Sequence, residues 1–587
     1  MRPGGLCYVA GPRRAPWDRF LAHRPRDTVR KEPLPPAVTQ DLAHIWNAVQ
    51  HALRGNVDAT VFDVWLAPLQ AVAIEGNAVV VAAPPEIRDW VAKRFERPLT
   101  NAAVAVLGAG ALMDVFSVAL RLPNHFRAIF GEGAFNQAYL PVYARLRAQS
   151  GAAAAALFSS RVFTLLLLVQ IGLLAVAIPF MPWLIRLLAP GFVDDPLRFD
   201  MAVALTRITF PYLLFITLVT LLSGNLNAVD RFAAAASAPI LLNASIIAAL
   251  ALAFFFPSAA HAAACAGARL RTHVRLVAEF GAAGFAARHA GVGAALVRPR
   301  LDPEMRAFFR ALGPAVIGSA GVQIALFADT VIASLLPSGS YAALYYAERL
   351  YQLPIGVIAI AAGTVLLPAM SRAIAAGDEA LAFRQQNRTL GMALLLAGPA
   401  VAVCMVVPTL AIGALFGRGA FDQNATEAAA AVLAAYALGL PAVVMIRAVV
   451  TSFHARSDTT TPVMISFAAI GLNVALKLLL WQGIGASGLA MATAAGAWAN
   501  ALLLYGVAWR RGWTMPDRRL GAAALTALTA GLAMAAVMLV TAAPIMTAAQ
   551  ALPFEPKLIG FMGVGAAGLA IYGLASFTGM KLAKRLL

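Results

Sequence analysis

The feature that most constrains this chain is a series of apolar stretches, each about 20 residues long, that recurs from residue 104 to the end. A helix of about 20 apolar residues crosses the roughly 30 Å hydrocarbon core of a bilayer. With 60% hydrophobic and only 13% charged residues, most of the chain is suited to lipid rather than water. Twelve stretches qualify, at 104–122, 161–187, 200–223, 232–256, 311–336, 341–366, 388–415, 425–450, 462–481, 485–509, 519–542 and 557–580.

Basic residues are concentrated in every second loop, and this pattern predicts the orientation. The loops near 188–199, 416–424, 482–484 and 543–556 are poor in Lys and Arg and are assigned to the periplasm, whereas the basic loops are assigned to the cytoplasm. Retention of the basic loops in the cytoplasm explains the net charge of +18, so no nucleic-acid partner is predicted. The alternation holds if a weaker stretch at 258–285, interrupted by arginines, also crosses.

An internal repeat relates two parts of the chain at a nearly constant offset. Arg121-Leu122 matches Arg349-Leu350, and Leu140-Pro141 matches Leu367-Pro368. The window 313–335 should have a partner at 85–107, but that partner holds seven charged residues, too many for a span. We therefore predict two pseudo-symmetric six-helix halves that lack the first helix, an arrangement typical of transporters with a cavity between the repeats.

Four sequence segments are similar to the MurJ (MviN) family of lipid II flippases in the MOP exporter superfamily. They are "GAGALMDVFSVALRLPNHFRAIFGEGAFNQAYLPVY", "SGSYAALYYAERLYQLPIGVIAIAAGTVLLPAMSR", "LFGRGAFD" and "ARSDTTTPV", in that order from about residue 106. The resemblance implies an all-α, multi-pass protein of the bacterial inner membrane that translocates lipid II by alternating access. It also implies a transporter rather than an enzyme, with lipid II, membrane lipids and the cell-wall synthesis machinery as expected partners.

The resemblance also implies substrate-binding residues. The family's cavity arginines and acids correspond to Asp114, Arg127, Glu132, Glu348 and Arg349. Arginine suits the pyrophosphate of lipid II, because its planar fork donates two parallel, charge-assisted hydrogen bonds. The alternative for each arginine is an interfacial side chain that extends to lipid headgroups.

Two further carboxylates, Asp329 and Asp458, resemble positions that coordinate sodium in some family members. Carboxylate oxygens suit a hard cation. For Asp458 the alternative is an ordinary helix cap before Thr461-Pro462. No cofactor is predicted apart from a sodium ion. The membrane potential is the expected driving force for transport.

The N-terminal region differs in character from the rest. Residues 1–38 are rich in Arg and Pro and are predicted to be disordered. Residues 41–99 predict a small α/β soluble domain of helices and a hairpin (Leu69 to Ala83), and Trp46, "ATVFDVWLAPL" and "IRDWVAKRF" resemble the N-terminal domain of the replication initiator DnaA. No phosphate-binding loop of the form GxxxxGK[ST] follows, so replication initiation is not predicted.

The predicted organisation of the membrane part is a first half at 104–295, a second half at 311–510 and two additional C-terminal helices at 519–587. Two alternatives to lipid II transport stay open. One is export of another lipid-linked saccharide or a drug. The other is a non-transporting fusion or chimeric product, because the segments 41–104 and 261–295 both fall where the repeat predicts helices.

Overall fold

The computed structural model describes most of the membrane part of the chain. The described residues are 6–8, 46, 50, 53–54, 61–75, 78–82, 91, 109–127, 133–231, 281, 283–418, 421–552 and 555–586. The predicted span 232–256, most of the weak stretch 258–285 and the candidate residue Glu132 lie outside them.

A three-stranded antiparallel sheet forms near the N-terminus. Its strands are β1 (Leu6–Tyr8), β2 (Gln70–Glu75) and β3 (Ala78–Ala82), in the order β1-β3-β2. The pairing of β2 with β3 gives the predicted hairpin. Leu6–Tyr8, inside the segment 1–38 that the sequence predicts to be disordered, pairs with β3 as a short strand, and the rest of that segment lies outside the described residues.

The first half of the membrane part contains five helices whose bounds are described, and residues 283–289 are also helical. The five helices are α1 (Ala109–Arg127), α2 (Gly133–Ala177), α3 (Met181–Leu188), α4 (Pro196–Thr209) and α5 (Tyr212–Asn227). The backbone of α2 breaks at Gly151, where a φ of 84° suits glycine because it has no side chain. Arg145 and Arg147 lie in the helical arm that precedes this break.

The second half and the C-terminal pair continue in the same way. Their helices are α6 (Pro303–Ser334), α7 (Ser340–Ala375), α8 (Glu379–Val406), α9 (Pro408–Phe416), α10 (Gln423–Ala437), α11 (Leu440–His454), α12 (Thr460–Arg510), α13 (Arg518–Gln550) and α14 (Pro556–Leu586). Gly485, with a φ of 62°, divides α12 into two arms next to the predicted loop 482–484. Seven helices in the described part of the chain are long and apolar enough to cross a membrane, so the prediction of a polytopic helical protein is confirmed.

The helix boundaries agree with the repeat in the sequence. The α3 and α9 helices begin at Met181 and Pro408, and the α4 and α10 helices, which begin at Pro196 and Gln423, are separated by the same offset. The α5 and α11 helices begin at Tyr212 and Leu440, at almost the same offset again. The two halves are therefore built from the same succession of helices.

The first half has an aromatic core that also holds the beginning of α6. The rings of Tyr139 and Phe158 stack at 5.6 Å, and Phe308 of α6 contacts Tyr139 edge-on at 6.4 Å. Asp302 accepts a hydrogen bond from the amide of Met305 at 2.9 Å and forms an ion pair with Arg161 of α2. The start of the second half is thus anchored on the first.

The halves meet again at a backbone contact that has no room for a side chain. Gly191 lies in a short 3₁₀ helix, Pro190–Phe192, and its amide donates to Ser334 Oγ at 3.3 Å. A Cβ at this position would lie only 2.1 Å from the carbonyl oxygen of Ser334 and 2.8 Å from Leu335 Cα. Glycine is therefore required for this close approach of the two halves.

This contact predicts the effect of adding one methyl group. Gly191→Ala should lower the thermal unfolding midpoint, because backbone atoms must move apart and overpacking of this kind costs about 1–3 kcal/mol. Gly172→Ala in α2 is the matched control, since nothing lies within 4 Å of its Cβ position. Unfolding of both variants in detergent, followed by tryptophan fluorescence, tests this, and equal midpoints for the two would contradict it.

Candidate functional site

A cavity of about 150 Å³ lies where α1 of the first half meets four helices of the second half. It differs from the surrounding apolar packing in the number of charged and phenolic side chains on its walls. The residues that line it are Arg121, Leu326, Asp329, Ala333, Tyr341, Leu344, Glu348, Tyr351, Gln352, Tyr436, Lys477, Leu489 and Thr493. The four charged groups, two of each sign, form two ion pairs.

The first ion pair crosses from one half to the other. Arg121 of α1 donates from Nη2 to Glu348 Oε2 of α7 at 3.1 Å, and from Nε to the hydroxyl of Tyr341 at 2.8 Å. Glu348 also accepts a hydrogen bond from Gln352 Nε2 at 2.8 Å. Both charged side chains keep about a fifth of their surface exposed, at 23% for Arg121 and 20% for Glu348.

The second ion pair joins α6 to the first arm of α12. Lys477 Nζ contacts Asp329 Oδ1, and the lysine side chain is only 3% exposed whereas the aspartate is 30% exposed. A buried ammonium without a partner is strongly destabilising, so the carboxylate is needed. Lys477 was not predicted as a site residue, although a lone lysine inside the span 462–481 is the signal that could have found it.

Asp114 lies outside this cavity and has partners of its own. Its Oδ1 accepts from the amide of Ala342 at 2.7 Å, and its Oδ2 accepts from the amide of Gly339 at 2.8 Å and from Arg198 Nη2 at 2.9 Å. The carboxylate of the first half therefore caps the N-terminus of α7 in the second half. Gly339 has a φ of 87° and has no side chain with which to cap that helix.

The two arginines expected to bind substrate are not among the residues that line the cavity. Arg349 is exposed, and its guanidinium stacks over the ring of Tyr345 at 4.8 Å. Successive residues are about 100° apart around a helix, which separates Arg349 from its neighbour Glu348. Arg127 is partly buried in the last turn of α1. Of the four predicted residues that the structure describes, Glu348 alone lines the cavity, and its partner is Arg121.

The two predicted sodium ligands are far apart. Asp458 precedes α12, and its Oδ1 accepts from the amide of Thr461 at 3.0 Å while Oδ2 accepts from Arg511 at 2.6 Å. The hydrogen bonds from Thr461, with a smaller effect of Arg511, lower the pKa of Asp458. Lys477, which holds Asp329, follows Asp458 by 19 residues, or about 28 Å of helix. The two carboxylates cannot share one ion, and the described residues contain no cluster of three or more His, Cys, Asp or Glu side chains for a metal.

A larger groove of about 700 Å³ lies between the second half and α13. Its walls are almost entirely apolar and come from α8, α11, α12 and α13. The residues that line it are Leu390, Leu394, Ala397, Gly398, Val401, Ala402, Met405, Val406, Pro441, Met445, Trp498, Tyr505, Pro516, Asp517, Leu520, Gly521, Ala524, Ala527, Leu528, Gly531, Leu532 and Ala535. This groove was not predicted from the sequence.

Comparison with known proteins identifies families and relatives that are similar to this chain. The family described as lipid II flippase MurJ matches residues 103–559, and the DnaA N-terminal domain family matches residues 43–105. The probable lipid II flippase MurJ of Rhizobium meliloti (strain 1021) is 37% identical over 478 residues, which are 81% of this chain and 88% of the relative. The lipid II flippase MurJ of Burkholderia cenocepacia is 31% identical over 70% of this chain and 80% of its own length.

Two solved structures share the fold. Lipid II flippase MurJ in an inward closed conformation superposes with a TM-score of 0.64 at 22% identity, covering 80% of this chain and 92% of that one. An inward-facing multidrug resistance MATE family transporter of the MOP superfamily gives a TM-score of 0.57 at 15% identity and covers 72% and 91% of the two chains. The described helices therefore have the MOP transporter architecture.

The capping of α7 by Asp114 predicts a large effect on stability. Asp114→Ala should lower the unfolding midpoint strongly, because loss of one partner of a buried ion pair costs about 3–5 kcal/mol. Asp194→Ala is the control, since Asp194 is exposed on the loop before α4. Thermal unfolding of the purified proteins measures both, and a similar small shift for the two variants would show that the cap is not important.

Proposed function

Because the chain belongs to the lipid II flippase MurJ family, we propose that it translocates lipid II across the bacterial inner membrane by alternating access. The observation that carries the proposal is the charged cavity between the two halves. Lipid II joins a polyprenyl tail to a pyrophosphate and a polar disaccharide-peptide, and the polar part does not cross hydrocarbon unaided. A cavity with cationic groups at the interface of the repeats is the environment that such a headgroup needs.

The pyrophosphate is expected to compete with carboxylates for the cavity cations. In the described arrangement Arg121 is neutralised by Glu348, and Lys477 is neutralised by Asp329. When a diphosphate binds the guanidinium of Arg121, it replaces the carboxylate of Glu348. The arginine therefore keeps an anionic partner in the low-dielectric interior. We propose Arg121 as the phosphate ligand in the cavity and Glu348 as its resting partner.

Arg127 and Arg349 keep a role in this proposal at the edges of the cavity. Arg349 is one residue from Glu348, and its stacking on Tyr345 leaves it exposed for contact with the headgroup. Arg127 ends the same helix that carries Arg121. Arg127, Glu132 and Arg349 would contact the substrate as it enters or leaves.

The apolar groove suits the other end of the substrate. A volume of about 700 Å³ with almost entirely apolar walls favours a hydrocarbon chain over a headgroup. We propose that the polyprenyl tail lies between the second half and α13 while the headgroup is in the cavity. The α13 helix, outside the repeat, would then serve lipid binding.

The access cycle requires one of the contacts between the halves to open. Asp114 with the start of α7, and Gly191 with Ser334, lie next to loops that the basic-residue pattern assigns to the periplasm. In this proposal these contacts close the periplasmic side, and release of lipid II outward requires their separation.

Loss of the cavity arginine should reduce transport. We expect Arg121→Ala to lower rescue of a flippase-depleted bacterium by about tenfold or more, since a hydrogen bond to a charged group contributes about 1.5–3 kcal/mol. Arg349→Ala should also lower rescue, and Arg121→Lys should keep part of it. Arg384→Ala, an exposed change near the start of α8, is the control. Full rescue by Arg121→Ala at equal membrane abundance would refute the assignment of that residue, and failure of the unchanged chain to rescue would refute the function.

A bulky residue in the groove should also reduce transport. Gly531 lines the groove, and nothing lies within 4 Å of its Cβ position, so Gly531→Trp fills space rather than disturbing packing. We expect slower translocation in an assay of lipid II exposure on the outer leaflet. Gly573→Trp is the matched control, because this exposed glycine of α14 also has open space around it and does not line the groove. Equal rates for both variants would remove the groove from the mechanism.

A further inference from the structure

Lys477 has an unusual position for a lysine. Of the six lysines in the sequence, it is the only one in the interior of a predicted apolar span, since Lys557 stands at the first residue of the span 557–580 and the other four lie outside the spans. Its side chain is 3% exposed and reaches Asp329 on a different helix. A single ammonium kept at this depth, at a high cost of desolvation, requires a reason beyond helix packing.

The ammonium lies against a carboxylate, in a cavity whose walls also carry neutral polar side chains. Asp329 supplies the carboxylate, and Thr493, whose hydroxyl donates to the carbonyl of Leu489 at 3.0 Å, lines the same cavity. Asn473, one helical turn before Lys477, has a buried Oδ1 without a hydrogen-bond partner among the described residues. One negative charge with neutral oxygens nearby is a donor set for a monovalent ion, and Lys477 already provides the positive charge.

The residues present therefore do not fit a sodium ion at Asp329. A sodium ion beside Asp329 would place two cations against one carboxylate in a medium of low dielectric, where their repulsion is strong. The lysine would have to leave or lose its proton first. The second predicted ligand, Asp458, is too distant to add a compensating charge, since about 28 Å of helix separates it from Lys477.

We propose that Lys477 is a tethered counter-cation that permanently occupies the cation position at Asp329, so that this chain binds no sodium there. The inference goes beyond the proposed function, because it concerns which ion the protein uses rather than which lipid it carries. It has a direct consequence. Removal of the ammonium should expose Asp329 and its neighbouring oxygens and turn the position into a site for sodium.

The experiment measures the thermal unfolding midpoint of the purified full-length chain in detergent, in NaCl and in choline chloride at equal ionic strength. The unchanged chain should have the same midpoint in both salts. Lys477→Ala should be less stable in choline chloride and should gain at least about 2 °C in NaCl, because a ligand that binds only the folded state raises the midpoint. Asp329→Asn/Lys477→Ala should show no such gain.

Two results would overturn the inference. One is a sodium-dependent rise in the midpoint of the unchanged chain, which decides the matter even if Lys477→Ala does not fold. The other is a folded, monodisperse Lys477→Ala protein whose unfolding midpoint is the same in NaCl and in choline chloride. Lys557→Ala, at the start of α14, is the control for removal of a lysine elsewhere. No lipid II is present in these measurements, so their outcome is separate from that of the proposed function.

Discussion

The structure depends on the neutralisation of each charge that enters the low-dielectric interior. Asp114 meets Arg198 and the amides of α7, Arg121 meets Glu348, and Asp329 meets Lys477. Each of these contacts joins residues that are far apart in the chain, so each fixes one helix against another. Ion pairs of this kind add little net stability, but they are costly to break singly. They therefore determine which arrangements of the halves are available.

Much of the fold could be predicted from the sequence, because spans and repeats are local or periodic signals. The duplicated helices begin at the offset that the matched dipeptides predicted. The breaks inside α2 and α12 were harder to place, since each depends on one glycine with a positive φ in an otherwise continuous helix. Membership of the family was likewise evident from four segments and is confirmed by the match over residues 103–559.

The site was only partly predictable. The repeat makes Arg121 and Arg349 equivalent, but Arg121 lines the cavity and Arg349 is exposed. Which face of a helix points inward is decided by packing against its neighbours, and no local pattern in the sequence reports that rotation. The DnaA-like and MurJ matches meet at residues 103–105. These residues lie inside the window 85–107, where the repeat predicts a helix that the charged sequence does not supply. Among the described residues, the first half thus offers the cavity one charged residue, Arg121 of α1, and the second half supplies the rest.

The cap on α7 has a further consequence. The first turn of that helix has no capping side chain of its own, because Gly339 occupies the position and the carboxylate comes from Asp114 in the other half. When the halves move apart, the amides at the start of α7 lose their acceptor, and only solvent can replace it. Opening at this end therefore exposes these backbone amides to water. The free energy of opening would then include the cost of exchanging the Asp114 carboxylate for water at these amides.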